Sequence, residues 1–383
     1  MAGKYAHLVK PLSSSKMGER MRLRQEEGGQ PIERPRVGAT GSGNADKIYW
    51  LTGKDDLEGI NLNFSWGFYS GLGDWHTGQD PHTHPYDECL VFVGLDPTDI
   101  TYLGAEIEIA LGEECEVHTF NRPTVVCVPK DFPHCPLITK KVDSPKGFGF
   151  YLVCLSPEVI SNWLGPDIIK EKGAIPRTTG DKYSHLVKPL AMNFASLTGM
   201  AGAAGAGAPG ATGTPPVPQR PGGTGGPAAP GPVGAGGTDV GYNLRFDRER
   251  GVMRPAGMDG VGPANADELI WMFGRDLEGF NVNFTWGFYS GTGIWHQGHG
   301  AHVHDVAEVL VFVGLDPNDI DYLGAELTID MGKEHEQYTF DKPTVVICPP
   351  GLPHLPLITN KVEKPYSFYV ISLDAEHYAP YVD

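Results

Sequence analysis

The sequence lacks the features that would point to a nucleic acid or a membrane. Its 383 residues carry 30 Lys and Arg against 47 Asp and Glu, a formal net charge of −17, whereas phosphate binding needs clustered basic residues. The one short basic run, at Arg20, Arg22 and Arg24, is typical of a solvated arm. No apolar run is long enough to span a membrane, and residues 1–16 lack the apolar core of a secretory signal. We therefore expect a cytoplasmic protein that binds a small molecule, with no nucleic-acid or membrane partner.

The chain contains six cysteines, but none of them occurs at a matching position in both halves. When the two halves are aligned, every cysteine faces a different residue type. Cys135, for example, faces Leu355, and Cys154 faces Ser372. A disulfide common to both halves is therefore excluded, and reduced thiols are typical of the cytoplasm.

What the sequence does contain is a long internal repeat. Residues 57–139 match residues 277–359 without a gap, and both copies carry the segments WGFYSG, LVFVGLDP, YLGAE and PTVV. A repeat of this length indicates two copies of one structural unit. A shorter repeat, HLVKPL, starts at His7 and again at His185. We expect the strand at 183–190 to pair away from its own domain and to dock on the neighbouring one.

Between the two copies lies a low-complexity stretch rich in Gly, Ala and Pro. Such a composition buries too little apolar surface to offset the entropy of ordering, so it predicts a flexible linker. The predicted divisions are residues 1–172 for the N-terminal domain, 173–198 for a connecting segment with the repeated strand, 199–238 for the linker and 239–383 for the C-terminal domain.

The local pattern of each copy predicts strands. Residues 60–66 alternate between apolar and polar side chains, as a half-buried strand does. The segments 90–93, 105–109 and 124–128 are short strand-like runs separated by Gly, Pro and Asp. A helix is predicted at 156–160, with the first serine as its cap. Many short strands joined by regular turns favour an all-β sandwich or a jelly-roll barrel.

Histidines and glutamates recur at matching positions of the repeat. His82 and His84 have strand spacing, so their side chains project from one face, and Glu88 shares that face if the strand continues. Prolines flank the last histidine of each set and stiffen its approach. Three imidazoles and a carboxylate suit Fe(II), Mn(II), Ni(II), Co(II) or Zn(II). The predicted ligands are His82, His84, Glu88 and His134 in the first copy, and His302, His304, Glu308 and His354, each 220 residues later, in the second.

These motifs resemble those of the cupin superfamily, and their duplication resembles a bicupin. The HxH motif followed by Glu and then Gly is matched in both copies. The P-x-G-x-x-H motif is matched by Pro349, Gly351 and His354, whereas Asp131 replaces its glycine in the first copy. The resemblance covers about two thirds of the chain. It implies an all-β fold of two tandem jelly-roll barrels (double-stranded β-helices) with few short helices, each holding a metal. It does not imply a single reaction.

Four further residues are predicted as acid–base groups. His76 and His296 each follow a tryptophan, six residues before the first ligand. Each lies either near the open coordination positions of the metal or packed at the barrel rim. Glu106 and Glu326 match on a strand of alternating polarity. Inside the barrel they would act as bases, and on its outer face they would be solvated.

We expect a metal-dependent cupin oxidoreductase with up to two ions per chain, Fe(II) being favoured. The first hypothesis is dioxygenase-type oxidative cleavage of a small oxygenated organic substrate, because open coordination positions would accept both substrate and O2. The alternatives are an oxygen-independent decarboxylase, isomerase or lyase, and a non-catalytic metal-dependent binding or storage protein. Both a monomer and a homo-oligomer are compatible with the sequence.

Overall fold

The protein folds into two similar β-barrels. The computed structural model describes residues 3–16, 45–76, 80–192, 244–247, 250, 252–255, 266–295 and 300–382. The predicted linker at 199–238, the arginines at 20–24 and His296 lie outside the described residues. Within them, no helix is long and apolar enough to cross a membrane. All six cysteines are buried free thiols.

Two antiparallel sheets form the first barrel. Strand β1 (Val9–Pro11) precedes it, and its own strands are β2 (Lys47–Thr52), β3 (Asn63–Tyr69), β4 (Gly73–Asp74), β5 (His82–Thr83), β6 (Glu88–Val93), β7 (Ala105–Leu111), β8 (Glu116–Phe120), β9 (Thr124–Val128), β10 (His134–Val142), β11 (Phe148–Cys154) and β12 (Asn162–Trp163). One sheet has the order β9-β6-β11-β3-β2, and the other has the order β12-β5-β10-β7-β8, with β4 also paired to β10. Helix α1 (Gly165–Lys172) and strand β13 (Val187–Pro189) follow.

The second barrel repeats this plan. Its strands are β14 (Leu244–Asp247), β15 (Val252–Pro255), β16 (Ala266–Met272), β17 (Asn283–Tyr289), β18 (Gly293–Ile294), β19 (Glu308–Gly314), β20 (Ala325–Met331), β21 (Glu336–Phe340), β22 (Thr344–Cys348), β23 (His354–Val362) and β24 (Tyr366–Ser372). One sheet has the order β22-β19-β24-β17-β16-β15-β14, and the other has the order β18-β23-β20-β21. Short 3-10 helices lie at Ala6–Leu8, Leu12–Ser14, Ser184–Leu186 and Gly274–Asp276.

The predicted strands of the first copy are confirmed as β3, β6, β7 and β9. Strand β3 begins at Asn63, three residues later than the alternating pattern predicts. The reason is a tight turn, in which the Leu62 N–H donates to the Ile60 carbonyl at 2.8 Å. The jelly-roll fold class predicted from the sequence is therefore the observed one.

The helix predicted at 156–160 is wrong. The Ser156 Oγ does accept a hydrogen bond from the Glu158 N–H, but the carbonyls of both residues accept from the Asn63 side chain. Because those carbonyls are already used, they are not free to start a helical ladder. The helix forms instead at Gly165–Lys172, with proline in its first turn and left-handed Gly173 (φ 79°) at its end.

The two HLVKPL segments exchange barrels. Strand β1 of the first copy pairs with β22 of the second barrel, while β13 of the second copy pairs with β9 of the first barrel. Each segment thus lies on the barrel of the other repeat, as predicted for 183–190. The predicted division of the chain stays a prediction, with boundaries at 1–172, 173–198, 199–238 and 239–383. Strand β1, in the first of these ranges, pairs with β22, in the last.

Aromatic side chains fill the contact between the barrels. Trp66 stacks on Trp286 with ring centroids 5.5 Å apart, and Tyr151 stacks on Tyr369 at 4.5 Å. All four rings are buried. Aromatic pairs of this kind bury a large apolar area in a defined geometry, so the two barrels behave as one packed body at this surface.

We expect Leu12→Ala to destabilise the protein although it lies outside both barrels in sequence. Leu12 is fully buried where the N-terminal segment covers the second barrel, and its N–H donates to the Pro343 carbonyl. Removing a buried leucine side chain costs about 2–5 kcal/mol. Denaturant unfolding measures this loss. The control is Leu72→Ala, since Leu72 is 66% exposed; equal stability of the two variants would contradict the docking.

Candidate metal centres

The four predicted ligands of the first barrel converge from both of its sheets. His82 lies in β5, opposite His134 at the start of β10. Glu88 begins β6 in the other sheet. Strand β5 ends at Thr83, so the continuous strand that would put Glu88 on the same face as His82 does not form. The carboxylate reaches the histidines because the two sheets face each other, and not because of strand parity.

The ligand atoms of the first barrel lie close together and are buried. His134 Nε2 is 3.2 Å from Glu88 Oε2, and His84 Nε2 is 3.5 Å from Glu88 Oε1. The His82 ring lies 4.2 Å from the His134 ring and 4.8 Å from the His84 ring, between centroids. None of the four side chains is more than 4% exposed. Ligand atoms of His84, Glu88 and His134 lie within 4.8 Å of one another, and a ligand atom of His82 lies within the same distance of those of His134 and Cys135.

The outer nitrogen of each histidine is held by the surrounding protein. His84 Nδ1 is 2.6 Å from the Ile160 carbonyl, and His134 Nδ1 is 3.3 Å from the Phe132 carbonyl. Because a carbonyl only accepts, these Nδ1 atoms carry the proton and leave the Nε2 lone pairs free. Asp80 Oδ1 holds His82 Nδ1 at 2.9 Å in the same way. Such outer hydrogen bonds fix the orientation of metal-ligating histidines.

The second barrel holds the same set more tightly. His302 Nε2 lies 2.9 Å from His354 Nε2, and Glu308 Oε2 lies 3.1 Å from His304 Nε2 and 3.3 Å from His354 Nε2. One ligand atom from each of the four residues falls within 4.8 Å of all the others. The Nδ1 atoms of His304 and His354 again face carbonyls, those of Tyr378 and Leu352.

These donor sets fit a divalent transition metal. Two of the converging atoms, Glu88 Oε2 and His304 Nε2, are buried without a hydrogen bond, which is costly unless another partner satisfies them. Imidazole nitrogens and a carboxylate oxygen are suitable ligands for such an ion. The three histidines and one glutamate of each barrel would hold it, and the eight ligands and the two ions per chain stay predictions.

A paired residue orients each carboxylate. The Cys154 thiol lies 3.2 Å from Glu88 Oε1, and the Ser372 hydroxyl donates to Glu308 Oε1 at 2.6 Å. The two residues occupy the same position of the repeat. The alignment of the two halves pairs Cys154 with Ser372, but the contact of each residue with a carboxylate follows only from the structure.

The charges of the site shift the pKa values of its members. Burial raises the pKa of Glu88, but the neighbouring His84 and His134 lower it further, to below its ordinary value. Burial and the adjacent imidazoles lower the pKa of His82, and burial lowers that of His84. For His304 burial acts in the same direction, but the charge of Glu308 outweighs it and raises the pKa. His304 therefore binds a proton more readily than His82 or His84 does.

Of the predicted acid–base groups, His76 lies at the first site. It is 4% exposed, and its Nδ1 is 2.8 Å from Asp80 Oδ2. Its Nε2 is buried without a hydrogen bond, and the side chain lines the same cavity as the ligands His82 and His134. His76 and His82 thus share one carboxylate. His296 lies outside the described residues, so its predicted role is not placed.

The prediction of a catalytic carboxylate at Glu106 or Glu326 is corrected. In β7 the side chains of Ala105 and Ile107 enter the core, so Glu106 between them faces outward, where it is half-exposed. Glu326 is exposed on the matching strand and accepts a hydrogen bond from Asn360. Alternation along a strand separates the two faces, and neither glutamate reaches a cavity.

The structure adds site residues that have no counterpart in the other repeat. Asp80 is the carboxylate shared by two histidines of the first site. His377 lines the cavity of the second site, with its ring 5.1 Å from that of His304. Burial lowers the pKa of His377 to about 4. Neither was predicted, because Asp80 faces Gly300 in the repeat and His377 lies in the last residues of the chain, beyond the repeat.

The cavities above the two sites differ in size and covering. The first has an empty volume of about 370 Å³ and the second about 520 Å³, and both volumes include space at the mouth that is open to solvent. Trp163 of β12 packs over His82 at 4.5 Å between ring centroids. Tyr381 occupies the matching place over His302 at 6.0 Å.

We expect each site to lose its ion independently when one ligand is removed. His84→Ala and His304→Ala should each reduce the bound metal from two ions per chain to one, and the double variant should bind none. Elemental analysis of protein purified without added metal gives both the element and the number. His185→Ala serves as a control because His185 is exposed. Retention of two ions in either single variant would contradict the ligand sets.

We also expect the second site to release its ion first as the pH falls. A proton competes with the metal for each Nε2, and it binds His304 at a higher pH because the pKa of that residue is raised from 6.5. At the first site the pKa values of His82 and His84 are lowered from 6.5, so the competition begins at a lower pH. Equilibrium dialysis of the two single-site variants measures both midpoints. A higher midpoint for the first site would contradict this order.

Of the comparisons with known proteins, the one with solved structures finds matches, and these concern the fold. No protein-family model and no curated protein sequence matches the chain. Its structure is similar to that of oxalate decarboxylase from Bacillus subtilis. A point mutant of that enzyme superposes with a TM-score of 0.51 and a two-residue deletion mutant with 0.50, each at 11% identity, over 98% of this chain and 79% of the other. At this identity the similarity establishes the fold alone. The chain therefore has the tandem cupin fold, with one His/Glu metal cluster in each barrel.

Proposed function

We propose that the protein is a metal-dependent decarboxylase of a small carboxylic acid and that the first barrel carries the reaction. The observation that supports this most directly is His76. Its side chain lines the same cavity as the candidate metal ligands, and its Nε2 is buried without a hydrogen bond. Two solved structures of similar fold are mutants of an oxalate decarboxylase, which favours the decarboxylase alternative over dioxygenase-type cleavage.

The walls of the first cavity suit a carboxylate that loses its charge. Trp75, Leu137 and Phe150 contribute apolar surface, and no Lys or Arg is among the described residues that line it. A substrate anion therefore leaves water for a site in which the metal cluster is the main positive group. Loss of CO2 disperses the negative charge of the carboxylate, so an apolar wall favours the transition state over the bound carboxylate.

His76 supplies the proton that the reaction needs. When the C–C bond breaks, CO2 leaves and the electron pair of that bond remains on the other carbon, which must then be protonated. The His76 side chain lines the cavity, and Asp80 accepts a hydrogen bond from its Nδ1, which fixes the orientation of the ring. The sum is a carboxylate plus one proton giving CO2 and the protonated product, with no external oxidant.

A bound divalent ion would supply Lewis-acid polarisation of the substrate oxygens. His82, His84, Glu88 and His134 would hold it, and Cys154 keeps the carboxylate oriented. This donor set suits Mn(II) as well as Fe(II), so the predicted preference for iron has no support in the site. Elemental analysis of protein purified without added metal identifies the bound metal.

The second barrel is proposed as a subsidiary metal site. It has Gly300 where the first barrel has Asp80, so it lacks the carboxylate that two histidines share. His377 approaches this site instead, from the last residues of the chain. The small-molecule substrate, cytoplasmic location and possible homo-oligomer stay predictions, as does the non-catalytic binding or storage role.

We expect CO2 release in equal amount to substrate loss, without net consumption of O2. The purified chain is loaded separately with Mn(II) and Fe(II) and incubated with oxalate and with other small mono- and dicarboxylic acids. CO2 and dissolved O2 are recorded together. Stoichiometric uptake of O2 would favour the dioxygenase hypothesis instead. Absence of turnover of every acid by fully metal-loaded protein would favour a binding or storage role.

The variant His76→Gln tests the proton donor. Glutamine keeps much of the size but does not deliver a proton at neutral pH, so kcat should fall by about 10²- to 10⁴-fold. The metal content should remain at two ions, which separates this loss from a loss of ligands. His185→Gln is the matched control at the surface. Unchanged kcat in His76→Gln would rule out the assigned role.

A further inference from the structure

The apolar walls of the two cavities repeat each other. Both contain a tryptophan, a leucine and a phenylalanine at matching positions, which are Trp75, Leu137 and Phe150 in the first and Trp295, Leu357 and Phe368 in the second. In each barrel the main-chain N–H of this tryptophan donates to the carbonyl of the leucine at 2.9 Å. The two walls are therefore built in the same way as well as from the same residue types.

The polar residues beside the candidate ligands do not repeat. His76 and Cys135 line the first cavity, whereas His377 and Tyr381 line the second. What the two cavities share is thus a set of candidate metal ligands and an apolar wall. A ligand class common to both has to be recognised by these two features.

The tryptophans of the wall do not offer their N–H groups to a ligand. Each cavity is lined by two of them, and each indole donates its Nε1–H to a buried side chain that is not among the lining residues. The pairs are Trp50 with Asn63 (3.2 Å) and Trp75 with Thr139 (2.9 Å) in the first barrel, and Trp271 with Asn283 (3.0 Å) and Trp295 with Thr359 (2.8 Å) in the second. Because these donors are already paired inside the protein, the indoles contribute apolar ring surface to the cavities.

A bound molecule therefore meets two kinds of surface. At the candidate ligands it meets the ion that they would hold, and along the wall it meets apolar side chains. No Lys or Arg is among the described residues that line either cavity, so a second anionic group finds no cation among them. Taking such a group out of water without a partner is costly, whereas burial of an apolar group is favourable.

We propose that the cavities bind monocarboxylic acids that are apolar beyond the end held at the metal, and that they discriminate against dicarboxylic acids of the same chain length. The carboxylate would meet the bound ion, and the rest of the molecule would pack on the wall. This selection names the substrate class of the proposed decarboxylation and in that respect rests on the proposed function. The order of the binding affinities does not depend on turnover.

Calorimetric titration of the full-length protein loaded with Mn(II) tests this selection with pentanoate and glutarate. The two acids have chains of equal length, and glutarate carries a second carboxylate where pentanoate ends in a methyl group. Pentanoate should bind more tightly by about tenfold or more. From propionate to pentanoate the affinity should rise about fourfold for each methylene that the wall covers. Equal or tighter binding of glutarate, a flat series, or no detectable binding of pentanoate would overturn the proposal.

Alanine in place of the wall leucine tests the position of the apolar chain. Leu137→Ala enlarges the first cavity and Leu357→Ala the second, so each variant should shift the preferred chain length toward hexanoate in the altered cavity. Leu72→Ala, at an exposed leucine, is the control and should keep the order of the wild type. Circular dichroism checks the fold of each variant. An unchanged chain-length preference in both leucine variants would contradict the assigned wall, and if neither variant folds, the comparison of pentanoate with glutarate in the wild type still decides.

The outcomes separate this inference from the proposed function. If the acids bind in the expected order and no CO2 is released, the ligand class stands and the decarboxylase proposal falls. If glutarate binds as tightly as pentanoate and an acid is still decarboxylated, the ligand class falls and the proposed function stands.

Discussion

The outward hydrogen bonds of the ligand histidines are the interaction on which the two metal centres depend. Carbonyls of Ile160, Phe132, Leu352 and Tyr378 hold Nδ1 atoms, so the Nε2 atoms are left to converge. Backbone carbonyls have fixed positions, and each of these lies in a segment that is itself packed against the barrel. The geometry of the site is thus set by the path of the main chain around it and not by the histidines alone.

This dependence explains why the segments after β11 and β24 matter. Ile160 follows the first barrel's last long strand, and Tyr378 follows the corresponding strand of the second barrel. Both segments close over their sites through strand-like pairing, Trp163 with His82 and Tyr381 with His302. A barrel that is complete in its sheets still needs this covering segment, because it supplies a hydrogen-bond acceptor and an aromatic ring to the metal ligands.

Equal ligands with unequal surroundings are the main chemical feature of the molecule. The first barrel has Asp80 and Cys135 where the second has Gly300 and Leu355. His377 lies at the second site. Duplication therefore kept the four candidate ligands of each barrel, whereas residues beside them differ between the repeats. An exchange of the HLVKPL strands joins the two barrels, so neither barrel completes its sheet without the other repeat.

The sequence by itself determined the repeat, the strands β3, β6, β7 and β9 and the eight candidate ligands, because each depends on local spacing or on the identity of side chains that can bind metals. Tertiary structure alone decided which polar residues reach the cavities. Glu106 and His76 are both plausible bases in the sequence, but strand alternation puts Glu106 outside, whereas a hydrogen bond to Asp80 holds the His76 ring beside the candidate ligands. The helix after Ser156 was mispredicted for a related reason, since Asn63, far away in sequence, binds the carbonyls that a helix would use. Contacts between distant segments leave no signal in local composition, and they are what distinguishes the first site from the second.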